Sequence, residues 1–310
     1  MTTGLISHPA CLTHEPPPGH PERPARLEAV TRALQDLPLV RHSAQPAAPE
    51  ALERAHSSTL VERVLNEYSK DARENGYVRI DADTFMSAGS AEAALRAAGA
   101  VIAAVDAVMG GEFRNAFCAV RPPGHHAERD RAMGFCLFNN VAVGALHARA
   151  AYGIKRIAVL DFDVHHGNGT QDIFFDDPDL FYASSHQMPL YPGTGFENER
   201  GASGNIANRP LPPGSGSAEF QTIWRDGLLP AVEAFGPEFI LISAGFDAHR
   251  ADPLANLNLT AEDFAWITRQ VCSIASRLCD GRVVSTLEGG YELDALADSA
   301  AAHVRALIEA

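Results

Sequence analysis

The residues from Val159 to Gly169 read Val-Leu-Asp-Phe-Asp-Val-His-His-Gly-Asn-Gly. An apolar run ends in Asp161, Asp163 and His165, which fall on alternate positions. In a strand, a period of two turns all three to one side. Carboxylates and an imidazole grouped at a strand end suit zinc or a similar divalent ion. The plainer alternative is a strand end whose aspartates cap the next helix. Three further clusters carry reactive groups. Arg121-Pro-Pro-Gly-His-His sets His125 and His126 side by side on a proline-stiffened loop, where they could bind metal or, as neutral imidazoles, act as bases. Ser243-Ala-Gly-Phe-Asp supplies Asp247, and Leu287-Glu-Gly-Gly-Tyr presents Tyr291 on a glycine-rich turn.

The elements that must position these groups alternate along the chain. Helices are predicted over 25–34, 58–69, 88–109, 137–152, 218–235, 261–278 and 293–308. Strands are predicted over 117–120, 156–162, 180–184, 239–243 and 282–287. Residues 187–216, dense in Gly, Pro and Asn, read as one long loop. Such alternation implies an α/β fold, one large domain or two smaller ones, with a mainly parallel sheet covered by helices on both faces. Ligands of such sheets gather beyond the carboxyl ends of the strands. All four polar clusters follow a predicted strand, so one shared site is a better account than four coincidences.

The bulk composition narrows the partners. The chain has 310 residues, 46% of them hydrophobic, enough for a sizeable core. Its formal net charge of -14 disfavours nucleic acid, which needs a basic face, and is compatible with cationic substrates. No run approaches the ~20 apolar residues of a membrane helix, and the first residues lack a signal-peptide pattern. Five scattered cysteines without a CxxC pair point to reduced thiols and a cytoplasmic setting. Homo-oligomerisation is left open.

Taken in order, Gly19-His-Pro-Glu-Arg-Pro, Arg121-Pro-Pro-Gly-His-His-Ala, Gly134-Phe-Cys-Leu-Phe-Asn-Asn, Asp161-Phe-Asp-Val-His-His-Gly-Asn-Gly-Thr-Gln, Ser243-Ala-Gly-Phe-Asp and Glu288-Gly-Gly-Tyr resemble the zinc-dependent histone deacetylase family. The likeness is to its class II-type and bacterial amidohydrolase members and spans nearly the whole chain. It implies a single arginase-like α/β domain over residues 1–310 with one catalytic zinc held by Asp163, His165 and Asp247. It makes His126 the base that takes a proton from the attacking water, and His125, hydrogen-bonded to Asp161, an orienting and electrostatic partner. Tyr291 would donate its hydroxyl to the substrate carbonyl. Asn168 would orient His126 without the charge of an aspartate, so Asn168→Asp is expected to raise the kinetic pKa of the base. An unchanged acid limb of the pH–rate profile would remove that role.

The resemblance also implies an acyl-lysine tunnel walled by Phe135 and Tyr191, with the Gly134 carbonyl near the leaving nitrogen. Arg26 aligns with an arginine beside an internal product channel, or is a helix-surface charge. A structural potassium ion would use Asp161, the carbonyls of Asp163 and His165, Ser184 and the carbonyl of Ser185. A second monovalent ion would use carbonyls near Phe174, Asp177 and Leu180. His166 and His249 are read as structural. Leu254, after Asp252-Pro253, stands where polyamine-selective members carry an acidic residue, which favours acyl-lysine over a small acylated amine. The rivals are a dimanganese hydrolase on the same fold, disfavoured by His125 and His249 in place of acidic residues, and a catalytically dead acyl-lysine binder.

Overall fold

The computed structural model describes residues 2–310. Its main sheet has eight strands: β1 (Thr3–Ser7), β2 (Leu39–Ser43), β5 (Asn115–Cys118), β6 (Ile157–Asp161), β7 (Leu180–Gln187), β8 (Ile206–Leu211), β9 (Phe239–Ala244) and β10 (Val283–Leu287). Their order is β2-β1-β5-β10-β9-β6-β7-β8, with every pairing parallel. β3 (Tyr77–Arg79) and β4 (Phe85–Ser87) form a separate antiparallel hairpin. The inner strands β6 and β9 are buried at every residue, the pattern expected when helices cover both faces.

Which helix lies on which face follows from strand alternation. Leu241 and Ile242 of β9 point to opposite sides, and Ser285 of β10 is the register partner of Ile242. Gly144 of helix Asn140–Tyr152 lies against Val101 of helix Ser90–Met109 and Leu241, which places that helix pair on one face. On the other, the Ser285 hydroxyl meets His303 of helix Leu293–Glu309, which packs with helices Pro24–Ala33 and Ala261–Leu278.

Three differences from the sequence expectation stand out. Residues 187–216 are not all loop, because Ile206–Leu211 forms edge strand β8. Its Pro210 and the adjacent polar residues Asn208 and Arg209 hide it, and both are tolerated because only one side is paired. β1 and β2 were not predicted; β2 is a mostly exposed edge strand of only five residues. The helical runs starting at Ser58 and Ser217 each contain a five-residue π segment, Arg63–Glu67 and Trp224–Leu228. No helix among the described residues is long and apolar enough to cross a membrane. All five cysteines are free and buried.

Candidate active site

The four strands that end in reactive clusters, β5, β10, β9 and β6, are consecutive neighbours in the sheet. Their carboxyl ends therefore deliver His125, His126, Tyr291, Asp247, Asp163 and His165 to one place. The three expected metal ligands are buried, with one donor atom of each lying within 4.8 Å of the others. His165 Nδ1 is 3.1 Å from both Asp163 Oδ1 and Asp247 Oδ2. A tetrahedral site with bonds of about 2.0 Å has edges of roughly 3.3 Å, so this spacing fits zinc. Backbone groups aim the carboxylates: Gly289 N–H donates to Asp163 Oδ2 at 2.8 Å and Val164 N–H to Asp247 Oδ1 at 2.9 Å. A Cβ at Gly245 would stand 2.0 Å from Asp163 Oδ2, and one at Gly289 2.0 Å from Asp247 Oδ2. Both glycines are needed for this approach.

Burial works against every charge here. Burial and the Asp163 charge push Asp247 up to about 7. Despite the same burial, the His125 and His165 cations hold Asp163 well below the usual carboxylate range. Two buried carboxylates facing one imidazole are the donor set a divalent cation relieves.

The paired histidines differ in their partners. Nδ1 of His125 lies 2.9 Å from Asp161 Oδ2; although burial opposes it, Asp161 and Asp163 pull His125 up to about 10. Nδ1 of His126 lies 2.8 Å from Asn168 Oδ1, and Asn168 Nδ2 donates to Glu128 Oε1 at 2.7 Å. Glu128 can only accept, so it fixes which way the amide faces. The proton of a neutral His126 then sits on Nδ1 and leaves Nε2 free as an acceptor. Burial, followed by the His125 cation, whose ring is 4.0 Å away, drives the His126 pKa well below its ordinary value. Tyr291 is pushed well above the phenol range by burial, against the pull of Arg26 beneath it, and stays a donor.

Comparison with known proteins now decides the family, because a histone deacetylase domain model matches residues 20–307. The chain belongs to the histone deacetylase family. It is 40% identical to the histone deacetylase-like amidohydrolase of Pseudomonas aeruginosa, over 93% of this chain and 75% of that protein. A probable deacetylase of Archaeoglobus fulgidus is also 40% identical, over 95% of this chain and 82% of that protein. The crystal structure of the HDA15 HD domain superposes with a TM-score of 0.93 at 35% identity, covering 99% of this chain and 88% of that one. The arginase-like fold and deacetylase-family hydrolase chemistry expected from the sequence therefore hold.

A cavity of about 230 Å³ opens onto the site. His126, His165 and Tyr291 line it together with Gly134, Phe135, Tyr191 and Leu254, and with Leu190 and Asp83. The chain is pinned around this pocket by groups the sequence reading passed over. Asp81 Oδ1 accepts from the amides of Asp83 and Thr84, and the Thr84 hydroxyl accepts from Phe135 N. Asp252, read only as a landmark for Leu254, accepts from Tyr291 N at 2.7 Å and Leu254 N at 3.0 Å. Glu288 accepts from Gly124 N and His125 N and so holds the histidine loop.

The outlying expectations divide. Arg26 is no surface charge: it is fully buried, donates to the carbonyls of Gly290 and Glu288, and sits 4.8 Å from the Tyr291 ring centre. His166 bonds Thr194 and Gln171, while His249 accepts from Ala251 N in a turn; both fit structural roles. Asp161 and Ser184 are register partners on β6 and β7 and are both buried, as one potassium site would require, whereas the Ser185 hydroxyl accepts from Trp224 Nε1. The second monovalent site does not fit. The carbonyls of Phe174, Asp177 and Leu180 surround the side-chain nitrogen of Asn205, which shares its two hydrogens among them.

Proposed function

We propose that this enzyme is a zinc-dependent deacylase that hydrolyses the amide of acetyl-lysine, or a closely similar acyl-amine, to free amine and carboxylate. One observation carries the reading: His126, Tyr291 and His165 line one and the same pocket. Phe135 and Tyr191 border the pocket as apolar walls for an alkyl chain. His126 Nε2 takes the proton of the attacking water as the new C–O bond forms, then returns it to the amine as the C–N bond breaks. Tyr291 donates to the developing oxyanion. A zinc ion held by Asp163, His165 and Asp247 supplies Lewis-acid polarisation of the carbonyl and acidifies the water. Potassium held around Asp161, Ser184 and Ser185 would brace the segment that carries two of the ligands.

A second reading, an acetylpolyamine hydrolase, gains support from Asp83, which places a carboxylate in the pocket lining although Leu254 does not. Acid release from acetyl-lysine peptide, trifluoroacetyl-lysine and acetylpolyamine, measured in parallel on zinc-loaded enzyme, separates the readings. Faster turnover of the lysine substrates supports the proposal. Preference for acetylpolyamine transfers it to the second reading. Binding of acylated peptide without acid release would make the protein a non-catalytic binder.

A further inference from the structure

Three backbone carbonyls in the turn after helix Asn168–Phe174 converge on one point. Nδ2 of Asn205 lies 2.9 Å from the Phe174 oxygen, 3.1 Å from that of Asp177 and 2.9 Å from that of Leu180. Asn205, Phe174 and Leu180 are buried, so the amide cannot turn to water instead. Convergent carbonyl oxygens repel one another unless a positive group stands between them, and a cation or an N–H donor can fill that role. The amide orientation has independent support, since Ser203 N–H points at Asn205 Oδ1 at 3.4 Å. The nitrogen is therefore the atom turned to the carbonyls.

We infer that Asn205 takes the place of a monovalent cation, so that this chain carries its own amide at a position the family resemblance assigns to a second potassium ion. An ion bound to the same three oxygens would have to stand where the nitrogen stands. The neighbouring contacts build the site for a side chain. Ala202 N–H donates to the Phe175 carbonyl at 2.9 Å, which lays the segment before β8 against the turn. The Asn205 carbonyl accepts from Tyr182 N at 3.0 Å and fixes where its side chain starts. The turn is also held by Arg149, paired with Asp177, and by Asp177 Oδ1 accepting from Asp179 N at 3.0 Å. A covalently tethered donor costs no ion binding and responds to no change in salt. The junction between this turn and β8 should thus be independent of potassium, whatever the site beside Ser184 does.

The test uses thallium(I) as a potassium stand-in that scatters anomalously. Crystals of the wild-type enzyme and of Asn205→Ala, both grown with thallium, should differ at this one place. The wild type should show no anomalous peak among the Phe174, Asp177 and Leu180 carbonyls, and Asn205→Ala should show one. In solution, Asn205→Ala should melt several degrees lower than wild type in choline chloride. Potassium chloride should then restore more stability to the variant than it adds to wild type. Asn205→Ser serves for the same measurements if the alanine variant does not fold. A thallium peak at the wild-type carbonyls would overturn the inference. Variants that fold but gain neither a peak nor an extra potassium response would also overturn it.

Discussion

Two of the regions that bury histidines in this molecule are set apart by the partners they offer. At the carboxyl ends of the strands, His125 and His126 face Asp161, Asp163 and Asn168, the last oriented by Glu128. Behind the ligands, His303 lies between the Thr268 and Ser285 hydroxyls, 2.6 and 2.8 Å away, with the Phe117, Phe162 and Phe246 rings around it. The two regions are joined by alternation. Phe162 and Phe246 are chain neighbours of Asp161, Asp163 and Asp247, and their rings turn to His303 instead of the metal site. An imidazole among charged partners can move or hold a proton, whereas one among hydroxyls and rings is kept neutral. Burial alone does not make a histidine reactive.

The contrast can be broken at several points. The largest of these effects is expected at Tyr291, where Tyr291→Phe removes the oxyanion donor without touching the histidines. kcat should fall by roughly 10²–10³ with zinc content unchanged, as steady-state rates and metal analysis would show. Next comes Asp252→Asn, which can no longer accept from both pocket loops. A loss of about tenfold in kcat is expected if misplacing the donor by an ångström or less already slows the chemistry. Introduced into Tyr291→Phe, the same change should cost almost nothing; additive losses would show that Asp252 does not act through Tyr291.

His303 gives the smallest effect on activity and a distinct one on stability. Burial lowers its pKa to about 3 from the ordinary 6.5. Because the unfolded chain binds this proton more readily, its contribution is intact above about pH 6.5 and drains away as pH falls toward 3. By about pH 4 the loss is on the order of 3 kcal/mol. His303→Gln, which can still hydrogen-bond but cannot titrate, should melt less steeply with acid while retaining activity at neutral pH. Parallel melting curves for variant and wild type would show that His303 stays neutral for no energetic reason.

What the sequence made legible follows from how locally each feature is encoded. Asp161, Asp163 and His165 announce themselves because a strand, its end and three reactive groups lie within a few residues. Asp247 and Tyr291 stood out because each follows an apolar run. Asp83 and Asp252 were hidden because they act through turns whose partners are remote: Asp252 reaches Tyr291, and Asp83 reaches the pocket from the β3–β4 hairpin. Asn205 was hidden for a related reason. Nothing in Gly-Asn-Ile says that three carbonyls from Phe174 to Leu180 will close around its amide. Edge strands β2 and β8 escaped because one open side tolerates polar residues and, in β8, a proline.

In the proposed mechanism two adjacent histidines divide their labour, with His126 as the base and His125 as its charged neighbour. Measuring kcat/KM of zinc-loaded His126→Ala and His125→Ala on the same acetyl-lysine peptide tests this most directly, with metal content checked for both. A loss of about 10³–10⁴ is expected for His126→Ala and one at least tenfold smaller for His125→Ala. Equal losses, or a larger one at His125, would contradict it.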